Sequence, residues 1–181
     1  MKFFLTLLLL SVSYLSHAQG SLSDVMPVKS GAVEYSDVVP VPSESKNQLF
    51  DKAKQWIVTY YPSATEALQL ADKDGGMLIA KGSLYTPWLF NMTYRSDGYL
   101  NHAIILEIKD GRYRYTVNDL TVSASHPSAR SMGRYVWTIA EFMERPMLKR
   151  NSIKYAVKAD ENIKAMLQNL EQAMKAKKSD F

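Results

Sequence analysis

The 181-residue chain reads as an α+β domain. The expected architecture is a curved antiparallel sheet with two helices on one face, in the order β-α-β-β-β-β-α, with a less regular insertion before the last helix. Three observations predict it. Two segments carry apolar residues at three- and four-residue steps, the period of a helix with one buried stripe. The segments between them are rich in strand-forming residues and alternate in parity. Two Asp-Gly turns join those strands into hairpins, because glycine accepts the positive φ that such turns demand.

The chain opens on "MKFFLTLLLLSVSYLSHAQG". Lys2 is followed by an apolar run from Phe3 to Leu10, interrupted only by Thr6, and Ser16-His17-Ala18 has small residues at the two positions a signal peptidase reads. Residues 1–18 are therefore expected to be a Sec-type signal peptide, cut after Ala18. The run is short of the ~20 residues of a membrane span, so no stable membrane insertion is expected after cleavage. Without a cysteine there is no lipid anchor, disulfide, thiolate nucleophile or Cys-based zinc site. The protein is thus expected in the periplasm or outside the cell. Taking 18 from 181 leaves 163 residues, enough for one domain with its own core. The formal charge is +4 and falls to +3 without Lys2. The two signs are mixed along the chain, unlike a nucleic-acid binder.

Residues 19–32 are polar without a period and read as a flexible lead-in. A single domain is expected over 33–176, with an irregular stretch at 123–159 and a short tail at 177–181. "AVEYSDVVPVP" supplies the first strand, roughly Val33 to Val41, ended by Pro40 and Pro42. Ser45 followed by Gln48 is a capping box. Leu49, Phe50, Ala53, Trp56, Ile57 and Tyr60 then form the stripe of the first helix, which Pro62 ends. "TEALQLAD" and "MLIAKGSL" flank "DKDGG" as one hairpin; "GYLNHAIILEIK" and "RYRYTVNDLTV" flank Asp110-Gly111 as a second. Leu100, Ile104, Leu106 and Ile108 share a parity, as do Tyr113, Tyr115 and Val117, so one face of the sheet is expected to be covered. "TIAEFMER" has a second capping box, Thr138 with Glu141. In the last helix, Asp160 and Glu161 suit its positive N-terminal end, and Lys175, Lys177 and Lys178 its negative end. Ile163, Met166, Leu167, Leu170, Ala173 and Met174 make the stripe.

Four pieces together resemble an exported bacterial domain of unknown function described as having a TATA-binding-protein-like fold. They are "YSDVVPVPSESKNQLFDKAKQWIVTYYPSA", "LADKDGGMLIAKGS", "KDGRYRYTVNDL" and the amphipathic helix near the C-terminus. They cover most of Val33 to Val122 and about Asp160 to Lys175. The resemblance implies the same element order as a single unit of that fold. It brings no activity and no catalytic residues. Nor does it imply DNA binding: a TATA-binding protein uses two such units, and the leader sends this chain away from the nucleoid.

Motifs for chemistry are absent. After cleavage only His102 and His126 remain, without zinc-ligand spacing, and the phosphate-loop, dinucleotide and nucleophile-elbow patterns are missing. "DKDGG" fails as an EF-hand, because Gly76 and Ser83 occupy ligand positions. No metal and no cofactor are expected. His102 falls on the apolar parity and reads as structural. His126 lies in a serine-rich loop, where sequence adjacency does not make a triad. Asn91-Met92-Thr93 is a glycosylation pattern relevant only to a eukaryotic secretory pathway. Trp56 reads as core, and Trp88, Tyr85, Trp137 and Tyr135 as packing or pocket residues.

Two functions are weighed. The first is a non-enzymatic binding or interaction module. Its open sheet face would carry Lys81, Ser83, Arg112, Arg114 and Thr116, and its partner would be a periplasmic protein, a peptide or a glycan. A homodimer could complete a two-unit saddle. The second is a periplasmic hydrolase built from His126, Glu141 and Asp119, with nothing in the sequence to fix the three together. A plain solvated face guarded by charge would look the same in sequence.

Overall fold

A computed structural model describes residues 21–89, 95–125, 135–144 and 149–176. The expected leader, the Asn91 sequon, His126 and the tail lie outside the described residues.

Among the described residues a short 3-10 turn (Leu22–Asp24) is followed in chain order by β1 (Val28–Lys29), β2 (Ala32–Val33), β3 (Tyr35–Pro40), α1 (Lys46–Tyr60), α2 (Ala64–Ala67), β4 (Leu68–Asp72), β5 (Met77–Tyr85), β6 (Trp88–Leu89), β7 (Arg95–Lys109), β8 (Arg112–Ser125), β9 (Tyr135–Thr138), α3 (Ile139–Glu144) and α4 (Lys149–Lys175). The main sheet runs β3-β8-β7-β5-β4, with β6 on β7 and β9 on β8, and every described pair is antiparallel. The α+β antiparallel architecture expected from the sequence is therefore present.

Both hairpin turns form where the Asp-Gly signals lie. Gly76 and Gly111 take φ of +73° and +69°. The second turn also holds the first helix: Asp110 Oδ1 accepts the otherwise free Lys46 N–H at 2.8 Å. Ser45 and Gln48 close their capping box, with Gln48 Oε1 accepting from Ser45 N at 2.8 Å.

The core lies between the helices and one sheet face. Leu78, Ala80, Leu100, Ile104, Leu106, Ile108, Tyr113 and Val117 meet Leu49, Ala53, Trp56 and Ile57 of α1 and Ile163, Met166, Leu170 and Met174 of α4. Polar anchors fix α4. Trp56 Nε1 donates to Asn169 Oδ1 at 2.8 Å, and Tyr35 Oη donates to Asp160 Oδ1 at 2.9 Å. Among the described residues no helix is long and apolar enough to cross a membrane.

Four expectations need correction. Residues 21–33 are not a featureless lead-in: they form a 3-10 turn and the β1–β2 hairpin, and Met26 packs into the core at 1% exposure. A single buried anchor gives no period to read. "TEALQLAD" starts as the short helix α2 before the strand begins at Leu68. The last helix begins at Lys149, not near Asp160, so the irregular stretch expected over 123–159 contains β9, α3 and the first turns of α4. Its early stripe rests on Ser152, Tyr155, Ala156 and Ala159, small or half-polar residues that hide a helical period. Asp160 thus sits inside the helix and binds Tyr35 and Lys164, rather than serving an N-terminus.

Candidate functional site

The five residues expected on the open face do lie opposite the helices. Strand register puts Ser83 beside Asn101 and Lys81 beside Ala103, while Arg112, Arg114 and Thr116 alternate with the core residues Tyr113 and Val117. The structure splits them into two groups. Between them run Ile79 and Ile105, paired with each other and with Thr116, so the middle of the face is half-buried and apolar.

The arginine end is nearly self-contained. Arg114 pairs with Glu107 across the strands at 3.4 Å, both about half exposed. Thr116 and Ser36 hydroxyls meet at 3.4 Å. Arg112 faces Lys109 on β7 and Pro40 on β3.

The other end has more structure. Ser83 Oγ donates to Asn101 Oδ1 at 2.7 Å, and Asn101 Nδ2 donates to Thr121 Oγ1 at 3.1 Å, linking β5, β7 and β8. Lys81 Nζ stands 3.7 Å from Asp119 Oδ2. Asp119 takes φ +54° at an irregularity in the β7–β8 ladder, where Asn101 pairs Thr121 but Ala103 pairs Asn118. This bulge reverses the parity of β8, so Leu120 and Val122 turn inward after Val117. It also leaves a gap on the outer edge of β8, because β3 pairs only to Val117 and β9 begins at Thr121.

Two hollows flank the bulge. One, about 510 Å³, is lined by Ser63, Glu66, Lys81, Ser83, Tyr99, Asn101, Asp119 and Thr121 among others, and reaches Tyr61, Gly82 and His102 at the β5 edge. The second, about 490 Å³, occupies the edge gap between Gly31–Glu34 and Thr138–Ala140. Asp119 borders both.

His102 is on the helix side at 3% exposure, as its parity predicts. Its Nε2 shares a 2.8 Å hydrogen bond with Tyr61 Oη. Burial lowers its pKa to about 4, opposed in part by a hydrogen bond with the Leu100 backbone. Burial also raises the Tyr61 phenol well above its ordinary value, with Tyr60 adding to the effect. Both groups are therefore neutral at pH 7, and Tyr61 packs its ring where a Cβ on Gly82 would fall 2.1 Å from it.

The hydrolase set does not assemble among the described residues. Glu141 closes the α3 cap, accepting from Thr138 N at 2.8 Å. Asp119 faces Lys81, and His126 lies outside the described residues. No group of three or more His, Asp or Glu among the described residues is placed to hold a metal.

Sequence reasoning passed over Tyr99, Asn101 and Thr121. Parity alone marks the first two, since they alternate with Leu100. Thr121 depends on the bulge, whose one signal is Asn118-Asp119, the residue types that best tolerate left-handed backbone.

Residues 35–123 match the model of a family described as a domain of unknown function (DUF4468) with TBP-like fold. Among solved structures, a DUF4468 family protein from Bacteroides ovatus is similar at 14% identity, over 86% of this chain and 93% of that one, with a TM-score of 0.64. A TBP-like protein from Parabacteroides distasonis is similar at 16% identity, over 84% and 98%, with a TM-score of 0.61. At such identities the likeness carries the fold alone. No curated protein matches the chain.

Proposed function

For a chain whose residues 35–123 match the DUF4468 family and share its TBP-like fold, we propose a non-enzymatic binding module, exported by the Sec route, whose partner docks on the open face of the sheet. The observation that carries this reading is the asymmetry of the sheet. Helices α1 and α4 close one face with a continuous core, while the other keeps Lys81, Ser83, Arg112 and Arg114 exposed beside half-buried Ile79 and Ile105. Exposed charge around a modest apolar centre is the composition of a non-obligate interface. A catalytic reading lacks a comparable observation.

The test is differential binding. Purified protein is titrated against the peptides, proteins and glycans of a periplasmic extract, with Arg114→Glu, Lys81→Glu and the helix-side control Lys158→Glu. Partner loss confined to the open-face changes supports the reading; loss with Lys158→Glu alone, or with none of them, sinks it. Export is tested separately, by fractionation and by sequencing the mature N-terminus for Gln19. Self-association would appear in sedimentation as a dimer that Arg114→Glu dissociates. That result would replace an external partner with a second copy.

A further inference from the structure

We infer that the end of the open face around Lys81 and Asp119 is a binding site for a neutral saccharide. This rests on the open-face reading and names a ligand class for one end of it.

The concavity comes first. Strand β4 pairs with β5 only as far as Ala80, and beyond it the hollow of about 510 Å³ lies along Lys81–Ser83. Its charged lining is one lysine against two carboxylates, Glu66 and Asp119. A net negative lining disfavours an anionic ligand, and a neutral one enters without bringing a charge to desolvate.

The spacing of donors and acceptors comes next. The 3.7 Å between Lys81 Nζ and Asp119 Oδ2 is too wide for a hydrogen bond. A hydroxyl placed between them can accept from the ammonium and donate to the carboxylate. Vicinal hydroxyls on a sugar ring satisfy such a mixed pair with both lone pairs and protons. Beside it, the Ser83–Asn101–Thr121 chain is already held in fixed directions by its own hydrogen bonds. Such preorganisation lowers the cost of ordering the site on binding.

An aromatic wall is the third observation. Tyr99 lines the hollow, and Tyr85 packs edge-on against it with centroids 5.5 Å apart. The two remain 37% and 49% exposed. Tyr99 therefore presents part of its ring to the hollow, and such an aromatic surface suits the apolar C–H face of a pyranose ring.

Isothermal titration with neutral hexose and N-acetylhexosamine trisaccharides, a hexuronate trisaccharide and dialanine tests the assignment. A neutral trisaccharide is expected to bind. Tyr99→Ala and Asp119→Asn should each weaken it about tenfold, while the helix-side change Lys158→Glu leaves it unchanged. Asn tolerates the left-handed backbone at 119, so that variant folds. Absence of neutral-saccharide binding, preference for hexuronate or dialanine, or insensitivity to both changes overturns the inference. If a different partner is then lost with Arg114→Glu, the open-face reading stands without it; partner loss only with Lys158→Glu removes both.

Discussion

Asn101 and His102 are consecutive residues of β7, and they serve opposite faces of the sheet. Asn101, half-buried on the open side, accepts from Ser83 and donates to Thr121 within reach of water. His102, nearly sealed beneath the helices, has one nitrogen bonded to Tyr61 and is only 3% exposed. A polar side chain on the open face can exchange a protein partner for solvent at little cost. On the covered face it must be neutral, and each unmet hydrogen bond is a standing penalty. The two faces should therefore respond very differently to the same kind of change.

The largest contrast is expected from apolar truncation. Leu106→Ala, at a fully buried position, should cost about 2–5 kcal/mol in urea denaturation. Ile105→Ala, its neighbour on the half-exposed face, should cost much less. Equal losses would mean that the open face is packed against something in the free protein, and the contrast would collapse.

Acid should reveal the same asymmetry through His102. Its folded pKa, about 4, lies below the ordinary 6.5, so folding favours the neutral ring. That contribution is fully present above pH ~6.5 and is lost as pH falls through about 4, for a total of about 3 kcal/mol. Comparing wild type with His102→Gln at several pH values isolates it, because every other group is common to both. A wild-type profile parallel to the variant's would show that the ring is reached by water.

Gly82→Ala probes the boundary between the faces. The added Cβ would lie 2.1 Å from the Tyr61 ring, and overpacking of this kind costs about 1–3 kcal/mol. Combined with Tyr61→Ala, the loss should be less than additive, because the clash has been removed. Additive losses in that double-mutant cycle would separate the glycine from the tyrosine.

Much of this contrast was legible in the sequence, for local reasons. Leu100, Ile104, Leu106 and Ile108 announce the covered face by parity, and Asp110-Gly111 fixes the register by turn chemistry. The capping boxes at Ser45 and Thr138 mark true helix starts. What escaped depends on long-range packing. Met26 is anchored by a core the sequence does not display, and the start of α4 leans on Ala156 and Ala159, which carry a weak apolar signal. The bulge at Asp119 escaped for a different reason. A one-residue insertion flips every later side chain, so Thr121 reaches the candidate site only because the alternation fails there.

Arg114→Ala should give the smallest effect on stability. Its partner Glu107 is 3.4 Å away, through one guanidinium nitrogen, and the two side chains are 54% and 43% exposed. Exposed pairs of this geometry contribute between nothing and about 1 kcal/mol, because water and salt screen the attraction while both long side chains lose freedom. The expected change in unfolding free energy by urea denaturation is therefore within about 0.5 kcal/mol, and 1 M salt should erase it. If the loss were instead comparable to Leu106→Ala, the arginine would be holding the sheet together and would not be available to a partner. A near-silent change in stability, with partner binding reduced, is the combination that distinguishes a docking face from a merely solvated one.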